Sequence, residues 1–230
     1  MKNGSGATSS SLTDILASLV AVFVLLFVAA QNNRGAGVAT ARDVLIKQLR
    51  GELVTAGIDS AAVDSVPNDP SSVVVILPDS VLFERGDNLM SAAGRNVVRT
   101  ATPLLVGVIC ADSIRRTLDQ MVVEGHTDNT IPWGMLPESG RMFNLELSQR
   151  RSMNFVATST ATLAGRDKLL ECYLSLVSAT GRGQENPLPN IPADSSPQRR
   201  VVLRLRLRTE IRDSVRIAPR ALGGVDAKDP

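Results

Sequence analysis

The sequence predicts an α+β protein: a single N-terminal membrane-spanning helix, then a domain of βαβαββ order with its helices on one face of a mixed sheet. Three observations carry that prediction. The most continuous apolar run lies near the N-terminus, between Leu12 and Ala30. Beyond residue 70, short strand-like apolar runs alternate with longer segments of helical type. The last run, VVLRLRLR, alternates strictly, with Leu203, Leu205 and Leu207 on one face and Arg204, Arg206 and Arg208 on the other.

A chain of 230 residues has room for one well-packed domain and its attachments. Aromatic residues make up only 3%, so aliphatic side chains must form the core. The net charge of +2 argues against a surface built to hold nucleic acid, even though residues 198–220 are rich in arginine. The alternating arginines read instead as the wet face of a sheet. Cys110 and Cys172 can form one disulfide if the domain lies outside the cytoplasm, or remain two buried thiols.

From Ile15 to Ala30 there is no charge, and Ser18 is the one polar side chain. With Leu12 to Asp14 the run approaches the ~20 residues that cross ~30 Å of hydrocarbon. A cleaved signal peptide is the rival, with Val28, Ala29 and Ala30 as its small-residue site. The long, almost uncharged lead-in, where Lys2 is the only basic residue, and the acid beside the run favour a retained helix. Charge counting places the C-terminal side in the cytoplasm, because Arg34, Arg42, Lys47 and Arg50 follow the segment. Asp14 has two readings: with Ser11 and Thr13 it caps the helix at the interface, or it lies in the bilayer and carries an ion.

The next segment, QNNRGAG, reads as a loop. Ala41, Leu45, Leu49 and Leu53 then fall at helical spacing, which predicts an amphipathic helix packed on its own domain or on a second copy. IDSAAVDSVPNDPSS reads as a linker. Strands are expected at 72–77, 120–124 and 173–179, and within 197–208; helices are expected at 89–109, disturbed by Pro103 and Gly107, and at 144–164.

VVEGHTDNT, a strand ending in Gly-His-Thr-Asp, is followed after a loop by NLELSQRRSMNFV, a helix carrying Asn-x-x-Leu-Ser-x-x-Arg. This pairing resembles the peptidoglycan-binding domain shared by OmpA, Pal and MotB. VLFERGDNLMSAAG, SATGRGQENP and QRRVVLRL extend the resemblance over residues 72–208. NLELSQRR is nearer the MotB form than the Pal form, which has glycine where this chain has Ser148. The resemblance implies an OmpA-like domain in which Asp128 takes the ammonium of a diaminopimelate stem and Arg151 takes its carboxylate, with Thr127 and Asn144 as polar neighbours. A purely structural role is the alternative, with Asp128 capping its turn and Arg151 paired to a local acid such as Glu146 or Glu124. Arg150 points elsewhere, into solvent. His126, the only histidine, belongs to the binding turn; no second ligand cluster or nucleophile accompanies it, so neither a metal nor an enzyme is expected.

The chain departs from the family in Cys110 to Asp119, in IPWGMLPESGRMF and in LLECYLS. A Cys110–Cys172 disulfide would tie two of these additions together.

A membrane helix with an acid near its start, a helical linker and such a domain together resemble MotB-type stator subunits. That resemblance makes Asp14 the ion-carrying residue, with a proton as the transported ion and no cofactor. Leu-Thr-Asp stands here in place of the family's Tyr-Ala-Asp, and the basic cytoplasmic tail is nearly absent. The implied partners are a MotA-like multi-helix membrane subunit in a five-to-two complex, a second copy of this chain, peptidoglycan and the membrane, with no nucleic acid. The family places the chain in the bacterial inner membrane with its N-terminus cytoplasmic and its C-terminal domain periplasmic, overruling the charge count. The implied divisions are a cytoplasmic tail over 1–11, the membrane helix over 12–31, a periplasmic helical linker over 32–70, the OmpA-like domain over 71–208 and a tail over 209–230. Shortness and insertions bring it nearest to the B subunit of the Zorya antiphage defence system; a flagellar-type stator subunit and a passive envelope tether are the other readings.

Overall fold

The computed structural model describes residues 7–208 except Asn68 and Arg85, without the side chains of 7–12 and 30–37; both expected tails lie wholly or partly outside these residues. Helix α1 runs unbroken over Ala7–Thr55. The loop expected at QNNRGAG is therefore helical. Gly35 and Gly37 each cost about 1 kcal/mol relative to alanine, but extending a helix already formed on both sides requires no new nucleus. Thr13 to Ala29 are exposed along this helix, among them Leu19, Phe23 and Leu25. Among the described residues no helix is long and apolar enough to cross a membrane. Those described side chains stop short of both ends of the expected 12–31 span.

The C-terminal turns of α1 belong to the domain. Leu45, Leu49 and Leu53 are buried in the common core, which settles the amphipathic helix on its own chain. The helix closes with Gly57 N–H donating to Val54 O at 3.0 Å and Ile58 N–H to Leu53 O at 2.9 Å, the paired bonds of a Schellman end.

The segment read as a linker is instead structured. After a 3-10 turn at Ser60–Ala62, capped by Asp59, strand β1 (Val63–Val66) pairs antiparallel with β2 (Asp69–Pro78). The folded unit thus begins well before residue 71. Next come α2 (Asp79–Leu82), α3 (Ala92–Ile109), α4 (Asp112–Arg115) and β3 (Leu118–His126). Ser91 caps α3 by accepting from Gly94 N–H at 2.8 Å, and Pro103 is accommodated within the helix. Helices α5 (Pro137–Thr162) and α6 (Asp167–Leu176) lead to β4 (Val177–Gly181) and β5 (Arg200–Leu207).

Two expected boundaries shift. Helix α5 starts at Pro137, inside the enlarged loop, because proline suits the first helical turn and Glu138 meets its positive end. The expected strand at 173–179 begins only at Val177; Tyr173 and Leu176, one turn apart, point into the core from α6.

The sheet order is β1-β2-β5-β3-β4, antiparallel except for β3 with β4. Val75, Leu203 and Val123 lie in register across three strands and face the helices. Arg204 and Arg206 occupy the alternate face. This is the mixed sheet covered on one face that strict alternation predicts, with the β1 hairpin added. A disulfide joins Cys110, the cap residue of α3, to Cys172 in α6.

Candidate functional site

The end of β3 and one face of α5 form the site. They can approach closely because Gly125 has no side chain: a Cβ there would lie 2.1 Å from the Ser148 carbonyl oxygen. Buried Ser148 accepts from Gly183 N–H at 2.9 Å and donates to Leu145 O at 2.7 Å, tying α5 to the loop after β4. Thr127 N–H donates to Gly183 O at 2.8 Å, so the chain leaves β3 in a defined direction.

Asp128 follows. One carboxylate oxygen accepts from Thr130 N–H at 3.1 Å, and the other pairs with Arg199. Asn144, 3% exposed, donates from Nδ2 to Asp128 O at 3.3 Å, Thr130 O at 3.1 Å and Gln184 Oε1 at 3.3 Å. It therefore shapes the turn. Thr127 Oγ1 is buried with no hydrogen-bond partner.

Arg151 is 2% exposed. Its Nη1 lies 2.9 Å from Asp79 Oδ1, its Nε donates to Asp87 O at 2.9 Å, and its guanidinium stands 5.3 Å from the centre of the Phe83 ring. The Asp79 contact is an ion pair without hydrogen-bond alignment, since neither atom has a hydrogen-bond partner. Asp79 N–H in turn donates to Arg199 O at 3.1 Å. Two ion pairs, Asp79 with Arg151 and Asp128 with Arg199, thus form one quartet of balanced charge. Burial pushes the Asp79 carboxyl up against the pull of Arg151 and Arg199, and draws the Arg151 guanidinium down against Asp79.

Asp128 and Asn144 meet in the turn that follows Thr127, and Arg151 lies further along α5; Asp128 and Arg151 each have an internal partner. Neither Glu146 nor Glu124 is the acid on Arg151. Glu146 pairs with exposed Arg150 at 2.5 Å, and Glu124 accepts from Arg204 at 2.9 and 3.1 Å. Asp79 and Arg199 went unassigned in the sequence. Arg199 lies in the QRR motif, and Asp79 follows a proline at a helix start; neither signal names a partner.

His126 is buried, with Nε2 3.5 Å from Glu124 Oε2, and burial lowers its pKa. Burial raises Glu124, but His126, Arg204 and Arg182 outweigh it and hold the carboxyl at about 2. Among the described residues no group of three or more acid, histidine or cysteine side chains is placed to hold a metal. Asp14 is remote from the site, about 45 Å along α1 from Leu45 at the ordinary helical rise. It lies two turns beyond Ala7, outside the first turn where a cap acts.

This domain shares its fold with a solved MotB-like protein. A protein described as MotB-like from Desulfovibrio vulgaris superposes with a TM-score of 0.55 at 21% identity, over 76% of this chain and 99% of that one. The Helicobacter pylori MotB periplasmic domain gives 0.45 at 14%, covering 63% and 87%. The cell wall anchor of the T6SS from Pseudomonas aeruginosa gives 0.40 at 20%, covering 68% and 95%. No protein-family model matches the sequence, and no curated protein does.

Proposed function

We propose that this chain is a MotB-like subunit that anchors an ion-driven inner-membrane complex to peptidoglycan. The carrying observation is the balanced quartet of Asp79, Arg151, Asp128 and Arg199. A diaminopimelate end brings an ammonium and a carboxylate together. Its ammonium replaces Arg199 on Asp128, and its carboxylate meets Arg151 beside Asp79. Arg199, with a side chain 35% exposed, is the member free to swing aside. Thr127 and Asn144 hold the Asp128 turn in place.

The apolar, exposed stretch of α1 supports a membrane helix over 12–31. The disulfide suits an oxidising compartment and supports a periplasmic domain with a cytoplasmic N-terminus. The place of Asp14 two turns into α1 supports an ion-carrying role over a capping one. In this reading two copies sit within five MotA-like subunits, and protons passing Asp14 drive the partner ring against the wall-held domain. The biological setting we favour is Zorya-type antiphage defence.

Two measurements test the proposal. The full-length chain in detergent should bind purified sacculi, and Asp128→Asn should lose that binding; undiminished binding removes the ionic site. Proton flux through the chain co-expressed with a MotA-like multi-helix membrane protein should vanish in Asp14→Asn while the complex still purifies. Equal flux in both, or none despite an intact complex, leaves a passive tether.

A further inference from the structure

Resting on the wall-anchoring reading, we propose that the loop 131–136 makes a second contact to the same polymer, with Trp133 stacking on sugar rings of its glycan strand. Trp133 is 102% exposed, and Met135 and Leu136 beside it are 43% and 70% exposed. Single exposed apolar side chains need no explanation; three within four residues on a held loop mark a contact surface.

The loop is fixed to the site at its base. Asn144 binds the carbonyls of both Asp128 and Thr130 at 3.3 and 3.1 Å. Ile131 lies so close to α5 that a Cβ on Gly140 would sit 2.4 Å from its Cγ2. Met135 N–H donates to Pro132 O at 3.1 Å, closing a turn that presents Trp133 outward. Pro137 then opens α5 directly.

Charge selects the occupant. Residues 129–137 carry no ionisable side chain, whereas the quartet starting at Asp128 is fully charged. A peptidoglycan strand has the same division, with charged stems on a backbone of sugars whose ring faces present C–H groups. An exposed indole face matches those rings, and the ions match the stem. A membrane surface suits the loop less well, because it lacks the lysine or arginine that anionic headgroups attract.

Trp133 is the only tryptophan, so its emission reports the contact directly. The full-length chain in detergent should show a saturable emission change with peptide-free glycan strands from amidase-treated sacculi. Trp133→Ala should weaken sacculus binding about three- to tenfold with unchanged thermal melting, and Trp133→Tyr should restore most of it. Asp128→Asn should lose stem-peptide binding yet keep the glycan response. Emission unmoved by glycan strands, with Trp133→Ala bound to sacculi at wild-type strength, overturns the proposal and leaves anchoring intact. Failure of the wild type to bind sacculi at all overturns anchoring itself. An emission change produced only by phospholipid vesicles, or only by raising protein concentration, assigns the loop to a membrane or a second copy and overturns the proposal too.

Discussion

Arg151 of α5 reaches Asp79 at the start of α2 across 2.9 Å, both almost fully buried, and through Asp87 O it also holds the turn leading to α3. The same arginine is thus a brace for the fold and the cation of the site.

We predict that Arg151→Ala destabilises the protein by about 3–5 kcal/mol, because Asp79 is left buried without its partner. Urea denaturation measures it. Adding Asp79→Ala should recover part of the loss, since the orphaned charge is then gone; a purely additive double variant would refute the pairing energy.

Arg199→Ala should destabilise the protein less than Arg151→Ala, because the Arg199 side chain is 35% exposed and Asp128, though buried, keeps the Thr130 N–H. A loss equal to that of Arg151→Ala would show that the second pair is as much a brace as the first.

Acid should destabilise the domain in two stages. His126 has a lowered folded pKa, so the unfolded chain binds its proton first and stability falls as pH drops below the ordinary 6.5. Glu124, held at about 2 against its ordinary 4.5, contributes stability above 4.5 that is lost as pH falls towards 2. Asp79, shifted upward, acts in the opposite sense, giving stability that is present at low pH and lost as pH rises. Melting temperatures of wild type and Glu124→Gln from pH 7 to 2.5 check this; the variant should lose the steep lower stage.

Gly125→Ala should destabilise by about 1–3 kcal/mol or more, since the added methyl meets the Ser148 carbonyl, a backbone atom that moves only with α5. Thermal melting measures the loss, and a wild-type melting temperature would contradict the close approach.

Reducing the Cys110–Cys172 bridge, which closes a separation of 62 residues, should cost about 4 kcal/mol in the chain-entropy treatment. Denaturation with and without dithiothreitol compares the two states, with Cys110→Ala/Cys172→Ala as the matching variant.

What the sequence by itself determined follows from period and adjacency. Leu45, Leu49 and Leu53 specify a helical face, and Leu203, Leu205 and Leu207 specify a strand face, because side-chain direction repeats every 3.6 or 2 residues. The GHTD turn and the LSxxR helix mark where polar groups converge. The β1 hairpin was hidden because VPNDP reads as turn chemistry, and the turn it signals joins two strands. Tyr173 favours strands, yet its burial from α6 overrode that preference. Continuity of α1 through residues 31–37 is likewise invisible locally, where two glycines argue for a break. Only the tertiary structure decided that Arg151 meets Asp79 and Asp128 meets Arg199. An ion pair between distant residues depends on which elements the core packs together, and no local pattern encodes that distance.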